Sequence, residues 1–223
     1  MKLVHPELSS MIIFDENVVN ELIIENERFF YYTVNDIYSQ INRLSGDYVL
    51  SERDEPIDFS KHAELITQFI PFEMNKKPLL TKLYSNMKET SVLSEHYLNT
   101  SQIMQEICRY LNGITDETDC NVTFDNAFDI SGLFKAVNLR FSDEYEALSE
   151  KIIDYMLNVR QFEGEKLYVL VNYRNYVSKS EAEAFVKTVI GHKLKLLLIE
   201  GGERERLLCT NRIIIDNELC EIY

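Results

Sequence analysis

The clearest hydrophobic pattern lies in the last quarter of the chain. Residues 167–171 form an unbroken apolar run, which is typical of a parallel strand covered on both faces. In the polar segment that follows, Ser178-x-x-Glu181 and Ser180-x-x-Glu183 both match the capping box that begins a helix, here predicted to reach Gly191. The apolar run 194–199 predicts a second strand. We therefore predict one βαβ unit with a right-handed crossover.

Shorter hydrophobic runs alternate near the N-terminus. Residues 11–14 predict a buried strand, and residues 18–27 predict an amphipathic helix. The aromatic and β-branched run 29–34 favours a strand, as does 48–50. The polar cluster 51–56 breaks this pattern, so we predict a boundary just after it.

Helical periodicity dominates the middle of the chain. A first helix is predicted from Ser60. The pattern between Pro78 and Gly113 predicts one stretch of roughly 34 residues, on the order of 50 Å long, with a bend near Ser91 or Thr100. Such a length predicts an arm that projects from a core.

These patterns predict an α/β protein with a mostly parallel sheet head and an inserted arm of long helices. Residues 1–59 are assigned to the first part of the head and residues 60–141 to the helical arm. Residues 142–223 are assigned to a connecting helix over 142–162 and the second part of the head, which ends in a strand at 221–223.

The chain is strongly acidic. It carries 23 Lys and Arg against 37 Asp and Glu, a net charge of −14. This charge excludes attraction of the whole surface to nucleic acid or anionic membranes, so a role on DNA requires a segregated basic strip. No apolar run approaches the roughly 18 residues of a membrane span and none resembles a signal peptide, so we expect a cytoplasmic protein that does not enter membranes.

Catalytic motifs are absent from the sequence. A P-loop enzyme has G-x-x-x-x-G-K-[ST] between a strand and a helix, but this chain has Asp15-Glu16-Asn17 after its first predicted strand. Asn172 and Glu200 follow strands as a Walker B acid does, without a phosphate loop beside them. The four histidines show no zinc spacing, and no G-x-S-x-G elbow occurs. We therefore expect no enzymatic activity.

Five segments, by their order and spacing, resemble the small CRISPR-associated adaptation protein of type II-A systems. They are residues 11–16, 57–59, 165–172, 177–183 and 196–200. The resemblance implies a degenerate relative of P-loop ATPases, without activity, that forms a ring-shaped homotetramer around a positively charged hole. It further implies sequence-independent binding of double-stranded DNA ends, structural Ca²⁺ ions and no nucleotide. The implied role is spacer acquisition beside the CRISPR integrase and effector nuclease proteins.

The basic strip that such a role requires has candidates in three parts of the chain. They are Lys76, Lys77, Lys82 and Lys88 at the start of the long helical stretch, Lys135 and Arg140 before the connecting helix, and Lys187 in the last quarter. Four copies in a ring would multiply such a strip and make DNA affinity strongly salt-dependent. The alternative is that these side chains only solvate helix faces and pair with nearby acids.

An acidic run supplies the calcium candidates, which are Asp116, Glu117, Asp119, Asp125 and Asp129. Calcium takes six to eight oxygen ligands, and this spacing is not that of an EF-hand. Asp125 and Asp129 would share a face if their stretch is helical, with Glu144 or Glu146 nearby. The alternative is a solvated acidic turn. Two other functions also stay open, a metal-dependent nuclease or NTPase acting on DNA and a scaffold that only docks proteins.

Overall fold

The computed structural model describes residues 1–222, the side chain of Ser94 excepted; Tyr223, the last residue of a predicted strand, lies outside the described residues. The chain divides into two compact units. The first contains residues 1–74 and 143–222, and the second contains residues 75–142. Residues 60–74, which we assigned to the helical arm, thus lie in the first unit.

The elements follow in chain order. The first unit contains β1 (Lys2–Val4), β2 (Ile12–Ile13), β3 (Val19–Ile24), α1 (Glu27–Ile41), β4 (Val49–Glu52), β5 (Glu55–Pro56), α2 (Phe59–His62), β6 (Ala63–Ile66), α6 (Leu148–Glu163), β7 (Leu167–Val171), a 3₁₀ turn (Tyr173–Asn175), α7 (Lys179–Gly191), β8 (Lys195–Glu200), β9 (Thr210–Ile215) and β10 (Glu221–Ile222). The second contains α3 (Lys77–Val92), α4 (Ser94–Asp116) and α5 (Ile130–Ala136).

A six-stranded sheet organises the first unit. Its strand order is β10-β9-β3-β8-β7-β6, and every neighbouring pair is parallel except the antiparallel pair β9–β10. The prediction of an α/β fold with a mostly parallel sheet is therefore confirmed. β7, α7 and β8 form the βαβ unit that the sequence predicted, with β7 pairing directly with β8.

Helices cover the two faces of this sheet. On one face, alternate residues of β3, β7 and β8 pack in a core with Phe29 and Ile37 of α1. On the other, the hydroxyl of Tyr168 in β7 donates to the carbonyl of Met156 in α6 at 2.8 Å. α6 ends at Glu163, where Gly164 has a φ of 89° that only glycine adopts readily.

Two N-terminal assignments are wrong, because a strand and a helix are exchanged. Residues 19–24, predicted as helix, form β3, and all six are buried between β8 and β9. The aromatic run 29–34, predicted as a strand, lies in α1, where Phe29, Thr33 and Ile37 recur every four residues on the buried face. Asn26 is the N-cap of this helix, and its side chain accepts a hydrogen bond from the Phe29 N–H.

The predicted helix from Ser60 is also wrong beyond its first turn. α2 ends at His62, and residues 63–66 form β6, which pairs in parallel with β7. The polar cluster 51–56 is not a domain boundary either. It contains the β4–β5 hairpin, in which Arg53 and Asp54 both have positive φ, as a tight two-residue hairpin turn requires.

The second unit is helical, as predicted, but its long stretch is not one helix. Leu93, in extended conformation (φ −71°, ψ 155°), separates α3 from α4, close to the predicted bend at Ser91. Gly113, predicted to end the stretch, lies inside α4, which continues to Asp116. The connecting helix, predicted from Ser142, begins only at Leu148.

Candidate nucleic-acid interface

Charge is distributed unevenly between the two units. Residues 75–142 carry seven Lys and Arg against eight Asp and Glu, a net charge of −1. The remaining residues carry 16 basic and 29 acidic side chains, so the first unit holds −13 of the total of −14. An anionic ligand is therefore repelled far less by the helical unit than by the sheet unit.

Within the helical unit, two segments contain basic residues and no acid. Residues 75–88 carry four lysines, and residues 130–142 carry one lysine and one arginine. We call these two stretches the basic segments. They contain six of the seven predicted DNA-binding residues, namely Lys76, Lys77, Lys82, Lys88, Lys135 and Arg140.

Hydrogen bonds hold the basic segments together. The side chain of Asn75 donates to the carbonyl of Phe141 at 3.1 Å and accepts from its N–H at 2.9 Å. The hydroxyl of Tyr84 donates to the carbonyl of Leu139 at 2.8 Å, and its ring lies 6.2 Å from that of Phe134. Asn75 and Tyr84 were not among the predicted site residues. Their role depends on a partner about 60 positions away in the sequence, which no local pattern indicates.

Most of the predicted cations are exposed and unpaired. Lys77, Lys82, Lys135 and Arg140 are exposed, and no carboxylate within residues 1–222 forms an ion pair with any of these four. Cations in this state keep their full capacity for phosphate contacts. The structure thus brings these predicted residues together, whereas Lys187 lies exposed on α7 in the other unit.

Lys88 is different, because its ammonium lies 2.8 Å from the carboxylate of Asp129. Asp129, a predicted calcium ligand, is the N-cap of α5 and also accepts from the Ser131 N–H at 3.0 Å. These contacts lower the pKa of Asp129 to about 2, with the Lys88 hydrogen bond as the largest cause. Lys88, a predicted DNA contact, and Asp129, a predicted calcium ligand, therefore form an ion pair with each other.

The predicted calcium ligands do not form a metal centre within one chain. Asp116 ends α4, Glu117 caps it, and Asp119 follows in the next turn. The stretch that contains Asp125 is not helical, so the expected shared face with Asp129 is absent. Among residues 1–222, no three His, Cys, Asp or Glu side chains are grouped so that they could hold a metal ion. These residues do not fit a calcium ion without further ligands.

The strand ends where an ATPase binds nucleotide are closed by the protein's own groups. The first core strand, β3, leads into α1 through Glu25 and Asn26, again without glycine or lysine. After β7, the side chain of Asn172 accepts from the Gly201 N–H at 2.9 Å. At the end of β8, the buried carboxyl of Glu200 accepts from the Arg174 N–H at 3.0 Å. The side chains of Asn172 and Glu200 thus both accept hydrogen bonds from backbone N–H groups of the protein itself.

A buried ion-pair network lies beside these strand ends. Glu21 of β3 is 1% exposed, and its two oxygens accept from Arg174 at 2.7 Å and from Arg212 of β9 at 2.8 Å. The arginines also donate to the carbonyls of Glu205 and Arg204. The network therefore ties the loop after β8 to the sheet.

Comparisons with known proteins identify the family. The family model described as CRISPR-associated protein (Cas_Csn2) matches residues 40–219, most of the chain. The protein therefore belongs to this CRISPR-associated family, and the resemblance found in its sequence is confirmed. A search of curated proteins gives no match.

The fold is found in a solved structure. The crystal structure of Stu0660 of Streptococcus thermophilus superposes with a TM-score of 0.54 at 14% sequence identity, covering 89% of this chain and 68% of that one. At this identity the likeness concerns the fold alone. Among the described residues, no helix has the length and apolar character needed to cross a membrane.

Proposed function

We propose that the protein captures the ends of double-stranded DNA, without sequence preference and without catalysis, during CRISPR spacer acquisition. The observation that carries the proposal is the pair of packed basic segments, which hold six cations and no acid on a chain of net charge −14. Four of these cations, Lys77, Lys82, Lys135 and Arg140, are exposed and form no ion pair among the described residues, which favours backbone contacts that are independent of sequence.

We include a ring-shaped homotetramer in this proposal, as the family resemblance implies. Four copies of the basic segments around one hole would give up to 24 cations, six from each chain, in reach of a duplex. Ca²⁺ would stabilise such a ring only if a second chain adds ligands to Asp116, Glu117, Asp119 or Asp125, because one chain does not group three of them. The CRISPR integrase and effector nuclease proteins are the partners that the resemblance implies.

The parallel core and the loops that close its strand ends support a further part of the proposal, descent from P-loop ATPases without retention of the nucleotide site. A nuclease or NTPase gains no support from a specific observation. Glu200, the acid best placed by sequence, is 1% exposed and engaged with backbone.

A gel-shift experiment with linear and closed circular duplex of one sequence tests the proposal, with Ca²⁺ or Mg²⁺ present. We expect linear DNA to be shifted preferentially and to keep its length. Lys82→Glu should weaken binding of linear DNA at least tenfold and flatten the salt dependence, because a phosphate contact is lost in every subunit.

Lys61→Glu is the matched control, since Lys61 is an exposed lysine of the sheet unit with the same charge change. We expect at most about a twofold effect from it, which allows for the added negative charge. Equal weakening by both variants would show that only net charge matters and would contradict the interface. Shortening of the DNA in the presence of Mg²⁺ would contradict the proposal and show that the protein is a nuclease.

A further inference from the structure

A groove of about 460 Å³ opens in the sheet unit between α6 and α7. Its floor is apolar, with contributions from Ile153, Ala184 and Phe185. Its walls carry three carboxylates and no basic side chain among the lining residues; the acids are Glu150, Asp154 and Glu181. The groove therefore combines an apolar floor with a uniformly acidic rim.

Two of the three rim acids, Asp154 and Glu181, are held by hydrogen bonds. The Asp154 carboxylate accepts from the hydroxyl of Tyr145 and, at 3.3 Å, from the side chain of Asn158. Glu181 accepts from the Ser178 N–H at 2.7 Å, and its hydrogen bonds with Ser178 lower its pKa. Neither acid is paired with a cation within residues 1–222, and Glu150, exposed in the first turn of α6, has no ion pair there either.

We infer that this groove docks a basic amphipathic helix of a partner protein. A hydrophobic groove between two helices can bind the apolar face of a third helix, which anchors through side chains spaced three and four residues apart. A carboxylate rim without a lysine or arginine selects an occupant whose flanking residues are basic, and excludes an acidic one. The groove belongs to the unit that carries −13 of the charge, which also attracts a basic partner over longer distances.

The occupant is thus of opposite charge to DNA and uses a different unit of the protein. Proteins that act on the same DNA carry basic surfaces, so one chain can hold a duplex through its helical unit and such a protein through this groove. The inference does not require the DNA-binding proposal to be correct, because no residue of the basic segments lines the groove.

Fluorescence anisotropy with two synthetic probe peptides tests the inference. One is an amphipathic helix of leucine and lysine, and the other has every lysine replaced by glutamate. We expect only the Leu/Lys peptide to bind the full-length protein. Glu150→Lys should weaken this binding at least tenfold, and Ala184→Trp, which fills the groove without a change of charge, should do the same.

Glu27→Lys is the matched control, because Glu27 is likewise an exposed first-turn acid, on α1, and does not line the groove. It should weaken binding by less than about threefold. Unfolding curves recorded for all variants ensure that they are folded under the conditions of the binding assay.

Several outcomes would overturn the inference. They are absence of Leu/Lys peptide binding, equal weakening by Glu27→Lys and Glu150→Lys, and unchanged binding in Ala184→Trp. If Ala184→Trp instead lowers the molar mass of the protein in solution, the occupant is a second copy of this chain and a foreign basic helix is excluded. If the protein binds the Leu/Lys peptide but does not bind DNA, only the proposed function is refuted.

Discussion

At the scale of single residues, the feature that is energetically most costly is the charge buried within the sheet unit. Glu21 is one anion between the guanidinium groups of Arg174 and Arg212, all less than 10% exposed. Such burial is tolerated only where each charge is paired and hydrogen-bonded, since an unpaired buried charge costs several kcal/mol. Glu200, on the neighbouring strand, is the second acid of this region and has no side-chain ion pair among the described residues.

Glu200 gives the protein a predictable pH dependence. Burial raises the pKa of Glu200 to about 7, despite the lowering effect of the Arg174 N–H and charge. In the unfolded chain this carboxyl titrates at about 4.3, so between these values the folded state binds the proton and the unfolded state does not. The wild type should therefore lose stability as the pH rises from below about 4.5 to above 7, by on the order of 3–4 kcal/mol from this residue.

Urea unfolding of the wild type and of Glu200→Gln, at pH 5 and pH 8, checks this prediction. Glutamine keeps the acceptor for the Arg174 N–H without a proton to release. The free energy of unfolding of Glu200→Gln should increase relative to that of the wild type as the pH rises. The contributions of all other titrating groups cancel in this comparison. Parallel pH profiles of the two proteins would contradict a raised pKa.

At the scale of elements, the start of α7 is the clearest case, because two capping boxes in the sequence could begin this helix. The structure uses the first. Ser178 Oγ accepts from the Glu181 N–H, and the Glu181 carboxylate accepts from the Ser178 N–H. Ser180 lies one residue inside the helix, where its hydroxyl is 3.1 Å from that of Ser178 but does not replace it as the N-cap. α7 covers the sheet with Ala182, Phe185, Val186 and Val189, so its first turn fixes a large part of the core.

Ser178→Ala should therefore lower the free energy of unfolding by about 1 kcal/mol, the usual value of an N-cap. Ser180→Ala makes the same chemical change two residues later, and alanine is the better helix former there. We expect it to be neutral or slightly stabilising in the same thermal or urea unfolding experiment. Equal effects of the two substitutions would mean that the capping box does not contribute.

The elements that the sequence predicts well are those whose signals are local. β7, α7 and β8 combine unbroken apolar runs with a cap, and each lies within a residue or two of its predicted position. β3 was predicted as a helix because Asn20 and Glu21 interrupt its apolar run. The apolar residues on either side are then three and four positions apart, as on one face of a helix. Glu21 is compatible with a buried strand only through arginines that lie 153 and 191 residues further along the chain, which no window of sequence contains.

In the basic segments, too, the local features can be predicted from the sequence and the long-range contacts cannot. Their lysines and the absence of acids can be read directly from the sequence, and six of the seven predicted DNA contacts lie in them. What the sequence could not give is that 130–142 packs on 75–88, because that depends on Asn75 and Tyr84 binding distant backbone. The calcium prediction combined the family resemblance with an acidic run, and neither reveals that Lys88 pairs with Asp129.

At the scale of the whole molecule, the notable feature is an exposed apolar stripe on α4. Among its described side chains none is buried, although Ile103, Tyr110 and Ile114 recur at helical spacing and are 48%, 69% and 45% exposed. An apolar stripe of this kind marks an interface, and closed symmetry is the usual way for identical chains to cover it. We therefore predict that α4 contributes to self-association of the protein.

Light scattering coupled to size exclusion measures this directly. Four chains of 26.2 kDa give about 105 kDa for the proposed tetramer. Tyr110→Lys should reduce the mass to that of a dimer or a monomer, since a buried lysine at an apolar interface lacks a partner. Tyr38→Lys is the control, because Tyr38 is a comparably exposed tyrosine (55%) on α1, and it should leave the mass unchanged.

The result also bears on DNA binding, because the affinity of a ring depends on how many basic segments face one duplex. A protein that Tyr110→Lys reduces to monomers should bind linear DNA with a correspondingly shallower salt dependence, since fewer phosphates are neutralised by each particle. If the wild type is itself a monomer at micromolar concentration, the ring is excluded. The basic segments would then have to hold DNA with the six cations of a single chain.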